Sequence, residues 1–227
     1  MSTAVVQYEA PWRAGIRSAK ANALPGFALQ LLALALLTAY YQHEGTRTAL
    51  DRLALWREHA GVGVSVFSTG FFGGVVPMLY LRARRSTRSR FTWMQAAVLT
   101  AFWSYKGFEI DLLYRSLARF VGGGNDVSTI AIKTAFDLFI YCPVFAVPVT
   151  VLVYAWIGAH FDTGAWLADI TSPGWFRRKI IPLLISNTWV WLPTVCIIYA
   201  LPTGLQLPMQ NIVLCFYTLL VAHQSRP

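Results

Sequence analysis

The sequence predicts an all-α fold, a polytopic membrane bundle of about six transmembrane helices with short interfacial helices. Of the 227 residues, 56% are hydrophobic and only 13% are charged, whereas soluble domains carry about 25% charged residues. Long runs without any formal charge alternate with short basic segments. Because hydrocarbon excludes charged groups, this alternation is typical of helices that cross a lipid bilayer.

The net charge of +9 does not indicate a nucleic-acid partner. The 19 Lys and Arg residues lie in short segments between apolar runs, as in the loops of membrane proteins, and not along one continuous surface. The cysteines lie inside apolar runs without paired spacing, which favours buried thiols over a disulfide framework. They are Cys142, Cys196 and Cys215.

The first two predicted crossings are the uncharged runs 24–41 and 61–81. Basic residues precede the first run, as in a signal peptide: Arg13, Arg17 and Lys20. The run ends in Tyr-Tyr-Gln-His and not in a small-residue cleavage site, so we interpret it as a retained helix. The second run contains Gly70 and Gly74 in G-x-x-x-G spacing, which favours close helix packing.

The third and fourth crossings carry charged residues near one end. The third begins with the run 91–105, and we expect Lys106, Glu109 and Asp111 to mark its far end. The fourth contains the stretch "KTAFDLFIYCP", in which Asp137 is followed by 22 residues without a formal charge. A carboxylate is costly in hydrocarbon unless it has a partner or contacts water, so this position requires an explanation.

The last 43 uncharged residues, 180–222, are twice what one crossing needs. Two prolines and a glycine in "LPTGLQLP" predict a break there between a fifth and a sixth helix. Six crossings place 12 of the 19 basic residues on one side, including those of the "RARRSTRSR" loop. That side is expected to be cytoplasmic or matrix-facing, with both termini on it.

Two connections are predicted to lie at the membrane surface. "TRTALDRLALWREHAG" reads as an amphipathic helix on the outer face, with Leu50, Leu53 and Trp56 on one side. "AWLADITSPGWFRRK" is expected on the inner face, with Trp166 and Trp175 at headgroup level.

Five ionisable side chains are predicted to lie at a similar depth in two neighbouring antiparallel helices. They are Lys106, Glu109, Asp111, Lys133 and Asp137. They can line a solute path, or they can be structural, with their heads reaching toward the headgroups. Lys133 and Asp137 are four residues apart and can pair on one helical face. Pro143 and Pro148 are expected to kink the same helix, since each removes a backbone hydrogen bond.

The sequence contains no motif of a known catalytic, phosphate-binding or metal site. The histidines lack metal-ligand spacing; they are His43, His59, His160 and His223. We therefore expect no enzymatic activity, no catalytic residue, no cofactor and no metal. Asn187 and Asn211 lie within apolar segments, where an amide typically bridges neighbouring helices.

The second half of the chain resembles the Mpv/PMP family of small peroxisomal and inner mitochondrial membrane proteins. "KTAFDLFIYCP" is similar to its K-x-x-x-D-Q-x-x-x-x-P signature at Lys133, Asp137 and Pro143, with Leu138 in place of Gln. "KGFEIDLLYRSLARFV" and "NTWVWLP" resemble two further family stretches, with matches at Gly107, Tyr114, Leu117, Arg119, Asn187, Trp191 and Pro193. Asp111 stands at a family histidine, and the family's closing Trp-Asn-x-x-L-S stretch is absent.

This resemblance implies a helical membrane domain over residues 61–227 and passage of small solutes or ions. Residues 1–60 would then be an N-terminal extension, with one retained transmembrane helix and an amphipathic helix. Two functions stay open: a channel or transporter-like path, or a structural or assembly protein in which a buried Lys133–Asp137 pair locks helices together. A homo-oligomer and a bacterial inner or organellar membrane also stay open.

Overall fold

A computed structural model describes residues 10–84 and 91–224, with side chains to residue 219. These residues form nine helices and no strand, which confirms the predicted all-α bundle. The helices are α1 (Pro11–Ala21), α2 (Ala23–Gln42), α3 (Glu44–Ala60), α4 (Val62–Ala83), α5 (Trp93–Phe120), α6 (Val127–Gly158), α7 (Thr163–Ile170), α8 (Trp175–Tyr199) and α9 (Thr203–Gln224).

Four helices in the described part are long and apolar enough to cross a membrane, namely α2, α4, α6 and α8. They correspond to the predicted first, second, fourth and fifth crossings. The third and sixth fall on α5 and α9, which are 28 and 22 residues long but are not among these four. Six crossings therefore stay a prediction. The predicted orientation rests partly on Arg85, Arg88, Arg90 and Arg226, which lie outside the described residues.

Helix α5 continues well beyond its predicted end. It begins after Thr92, whose hydroxyl accepts a hydrogen bond from the Gln95 backbone N–H at 3.2 Å. The Gln95 side chain accepts one from the Thr92 N–H at 2.9 Å, which completes a capping box. The helix then passes Lys106 and Glu109 and ends at Phe120. The prediction that these charges mark its end is wrong, because their side chains find partners inside the protein.

Two long helices contain π-helical segments, Phe71–Val75 in α4 and Asp137–Ala146 in α6. Pro143 lies inside the second, and Pro148 lies in the first turn of the α-helical part that follows. A proline has no N–H to donate, so a wider turn accommodates it at little additional cost. The predicted break before the last helix is confirmed, but it covers only residues 200–202.

One compact unit comprises Met1–Leu24 and Asp137–Leu192. Helix α1 packs on α8, where an ideal Cβ on Gly15 would lie 2.8 Å from the Ile185 Cβ. The Trp166 indole N–H donates to the Leu152 carbonyl at 3.1 Å and thus joins α7 to the end of α6. Close packing at Gly15 therefore holds α1 in this unit, and the Trp166 hydrogen bond holds α7.

The second unit comprises Pro25–Phe136 and Pro193–Pro227. Its helices α4 and α5 pack closely, because an ideal Cβ on Gly74 would lie 2.6 Å from the Thr100 Cα. An ideal Cβ on Gly70 would likewise overlap the Ser104 hydroxyl, so the predicted G-x-x-x-G contact is confirmed. The division into these units follows internal contacts; the predicted boundary at residue 60 stays a prediction.

Helix α3 forms as predicted. Trp56 is 57% exposed and Leu53 is 38% exposed, whereas Arg57 is only 4% exposed. The predicted apolar side therefore points away from the described protein. The side that packs inward contains the charged residue Arg57.

Candidate functional site

Helix α5 buries its charged side chains and exposes apolar ones. Lys106 and Asp111 are 3% and 2% exposed, whereas Phe108 and Leu112 are 46% and 55% exposed. A helix in water shows the opposite pattern, with its apolar face buried. Ionisable residues of membrane helices, in contrast, almost always face the interior of the bundle.

Asp111 is the centre of a buried ionic network, which we call the Asp111 network. Its Oδ1 accepts hydrogen bonds from Arg57 Nη2 and, at 3.0 Å, from the Ser65 hydroxyl. Its Oδ2 accepts from Arg115 Nε at 2.7 Å. The carboxylate thereby joins three helices, since Arg57 lies on α3, Ser65 on α4 and Arg115 on α5.

Arg57 extends the network to the start of α9. Its Nη1 donates to the Gly204 carbonyl at 3.0 Å. Burial lowers the pKa of Arg57, and the charge of Asp111 opposes that shift. Since an arginine stays charged in proteins, the network holds two cationic groups and one carboxylate.

Arg57 and Ser65 were missed by sequence reasoning. Three arginines occur between residues 47 and 57, and all read alike in a segment interpreted as a surface helix. The partners of Arg57 are distant in sequence: Asp111 is 54 residues away and Gly204 is 147 residues away. Nothing local in the sequence distinguishes the buried arginine from the other two.

Lys106 and Glu109 form a second, local ion pair. The distance from Lys106 Nζ to Glu109 Oε1 is 2.6 Å, and the two residues are three positions apart on α5. The side chains are 4% and 14% exposed. The other carboxylate oxygen, Glu109 Oε2, has no hydrogen-bond partner among the described residues. Pairing lets both charges lie inside the protein at a reduced cost.

Lys133 lies in a third environment, beside the face of an aromatic ring. It is 1% exposed, and its Nζ has no hydrogen-bond partner among the described residues. The predicted hydrogen-bonded pair with Asp137 is therefore not formed there. The Nζ lies 5.9 Å from the centre of the Tyr199 ring. Tyr199 in turn contacts Tyr114 edge to face at 5.4 Å between ring centres.

Asp137 begins the π-helical part of α6 and is 5% exposed. Its Oδ1 accepts a hydrogen bond from the Cys142 thiol at 3.6 Å. The Asn187 amide donates to the same sulfur at 3.8 Å, which joins α8 to α6. Asn187 thus bridges two helices, as its position in an apolar segment predicts. Asn211 does so too, since its Oδ1 accepts from the Thr69 hydroxyl at 2.8 Å.

The residues of the family motifs lie in several places. Gly107 packs against α4, because a Cβ there would overlap the Ser65 carbonyl oxygen. Tyr114 is buried and its hydroxyl donates to Gln210 at 3.4 Å. Trp191 is half-buried and Pro193 is exposed. The five predicted ionisable residues are all largely buried. Within the second unit, Lys106 pairs with Glu109 and Asp111 belongs to a separate network, while Lys133 Nζ makes no hydrogen bond to a described residue.

Comparisons with protein-family models, with curated proteins and with solved structures found no match to this chain. The fold and its four long apolar helices define a helical membrane protein. The resemblance to the Mpv/PMP family stays a prediction from the motifs around Gly107, Lys133 and Asn187.

Proposed function

We propose that this helical membrane protein provides a path for small solutes or ions across the bilayer, without catalysing a reaction. The observation that carries the proposal is the burial of three charged side chains inside apolar helices. Lys106, Asp111 and Lys133 are 3%, 2% and 1% exposed. Such residues are rare in membrane helices and commonly mark ion or substrate pathways, because their burial is costly.

The surroundings of these residues support the proposal. The neighbouring outward side chains are apolar, with Tyr105 52% and Ile132 55% exposed. Helices α5 and α6 therefore present lipid-compatible groups toward the outside and charged groups toward the inside. Hydroxyl and amide groups add further polarity to the same unit, since Asn211 donates to the Ser68 hydroxyl at 3.0 Å. Polar groups that face the interior can replace part of a solute's hydration shell.

A structural or assembly role is the second candidate, and the Asp111 network favours it. That network satisfies both oxygens of one carboxylate and joins α3, α4 and α5. A role of this kind needs buried charges only as links between helices. It gives no reason for Lys133, whose Nζ makes no hydrogen bond in the described part of the chain.

Reconstitution of the purified protein tests the proposal. Planar bilayers that contain only this protein should show conductance, and liposomes should leak small solutes. Asp137→Asn is expected to alter ion selectivity or flux while the protein stays folded, because a charge along a path contributes to the potential that ions meet. Asp169→Asn, which changes an exposed carboxylate on α7, is the matched control and should leave selectivity unchanged.

The structural alternative predicts a different result. The folded wild-type protein would then pass nothing over a range of voltages and solutes, and Asp137→Asn would act only on thermal stability. That outcome would contradict the proposed path.

A further inference from the structure

Helix α1 combines exposed apolar residues with basic ones and contains no acidic residue. Trp12 and Ile16, which we call the apolar pair, are one helical turn apart and are 54% and 40% exposed. Three exposed cations lie on the same helix, namely Arg13, Arg17 and Lys20. A helix with an apolar side and a basic side is typical of segments that lie in the plane of a membrane interface.

The packing of α1 on α8 determines which way these side chains point. Gly15 is buried, and an ideal Cβ there would lie 2.8 Å from the Ile185 Cβ. The Ser18 hydroxyl donates to the Ser186 hydroxyl at 3.2 Å. Since successive residues of a helix are about 100° apart, the apolar pair lies beside this contact, and the three cations lie on the side away from α8.

The contact on α8 lies at the depth of a membrane interface. Helix α8 is long and apolar enough to cross a bilayer. Its uncharged part begins at Ile180, directly after Arg177, Arg178 and Lys179. Ile185 lies five residues further, which is about 7.5 Å along the helix. In-plane amphipathic helices bury their apolar side about 5–10 Å into the boundary between headgroups and acyl chains, so α1 is held at the level where such helices lie.

The side chains around this contact fit a surface of anionic headgroups. The Arg13 guanidinium carbon lies 5.1 Å from the centre of the Trp12 ring, and tryptophan is enriched at the level of the headgroups. Helix α8 begins with the same combination, since Phe176 is 52% exposed and Arg177 and Lys179 are exposed too. The cations are complementary to lipid phosphates, and the apolar residues are complementary to acyl chains.

We propose that α1 is an in-plane anchor that binds the anionic phospholipids of one leaflet. The apolar pair enters the boundary of the acyl chains, and the three cations pair with the phosphates of the headgroups. The partner is a lipid surface and not a soluble acidic macromolecule, because α1 packs on a helix that is itself apolar enough to cross the bilayer. The inference is independent of the proposed transport, since it concerns only the attachment of α1 to lipid.

Thermal unfolding of the full chain in mixed micelles tests the binding of anionic lipid. Phosphatidylglycerol should raise the melting temperature more than phosphatidylcholine with the same acyl chains. At about a hundred times the dissociation constant of phosphatidylglycerol, the expected difference is roughly 5 °C or more. The triple variant Arg13→Gln, Arg17→Gln and Lys20→Gln should lose most of this difference. A matched triple variant, which removes three exposed cations from α3 and α5, should retain it: Arg47→Gln, Arg52→Gln and Arg119→Gln.

Two results of this experiment would overturn the inference. One is an equal effect of the two lipids on the wild-type protein, a comparison that requires no variant. The other is an undiminished effect of phosphatidylglycerol on the folded α1 variant, which would mean that the anionic lipid binds elsewhere.

Thiol labelling tests the contact of the apolar side with lipid without altering the charge. In nanodiscs of phosphatidylglycerol, a water-soluble maleimide should react several times more slowly with Ile16→Cys than with Ala21→Cys, each measured above the wild-type background. Both positions are exposed in the structure, so lipid must cause the difference. Equal rates would contradict the anchor, because that side of α1 would then face water, where the three cations fit a soluble acidic partner.

Discussion

The Asp111 network and the surroundings of Lys133 are both buried, but the two charged groups differ in their hydrogen-bond partners. Asp111 receives hydrogen bonds at both carboxylate oxygens from three side chains. Lys133 Nζ makes no hydrogen bond to a described residue and lies 5.9 Å from the centre of the Tyr199 ring. A buried charge with hydrogen-bond partners joins helices together, whereas one without them is costly. The two residues of this helical unit should therefore differ in what the removal of their charge does to stability.

Removing the charge of Asp111 should have the largest effect on stability. Asp111→Asn leaves the buried Arg57 without its counter-charge, and breaking a buried pair in this way costs about 3–5 kcal/mol. We expect a lower melting temperature in detergent and retention of part of the stability in the double variant Arg57→Met with Asp111→Leu.

The control for this prediction is Glu44→Gln, which removes an exposed carboxylate from the first turn of α3. Its cost should be below about 1 kcal/mol. Equal effects of Asp111→Asn and Glu44→Gln would show that the Asp111 network contributes little to the fold.

Removing the charge of Lys106 should have the next largest effect. Lys106→Met leaves the Glu109 carboxylate, 14% exposed, without its ion-pair partner. Because some solvent reaches Glu109, we expect a loss of about 1–3 kcal/mol, below the full cost of a completely buried pair. Glu109→Gln in the same background should restore part of the stability in chemical or thermal unfolding. Additive losses would argue against a coupled pair.

The close packing of α4 on α5 provides a test that involves no charged residue. Gly74→Ala places a methyl group against the backbone of Thr100, so the helices must separate, at a cost of about 1–3 kcal/mol. Gly63→Ala lies in the same helix with no atom within 4 Å of the new Cβ, and it should be neutral or stabilising by up to about 1 kcal/mol. Thermal unfolding of both variants measures the difference. Equal melting temperatures would contradict the glycine-mediated contact.

Lys133→Met should have the smallest effect of these charge substitutions. The substitution removes a buried charge that makes no hydrogen bond in the described part of the chain, so we expect a change within about 1 kcal/mol or a gain in stability. Thermal unfolding of the purified variant measures it. A loss as large as that of Asp111→Asn would mean that Lys133 is a structural partner, and the contrast between the two regions would fail.

The long apolar helices and the close helix contact could be predicted from local sequence. Uncharged runs of sufficient length predict helices α2, α4, α6 and α8, because a helix satisfies every backbone polar group internally. The spacing of Gly70 and Gly74 predicts that α4 approaches a neighbour, since glycine lacks a side chain that would hold it apart. The break before α9 follows from Pro202, which precedes its first residue. Each of these features depends on residues that are near one another in the chain.

The partners of the buried charges were decided only by tertiary structure. Arg57 reads like Arg47 and Arg52 in the sequence, but the fold brings it to Asp111 and to the carbonyl of Gly204. Asp111 on α5 likewise meets Arg57 and Ser65 only in the folded protein, whereas its partner Arg115 and the Lys106–Glu109 pair lie within α5 itself. A long hydrophobic run predicts where a helix forms, because this depends on the composition of one local segment. Which charge meets which depends on how helices distant in the chain pack together.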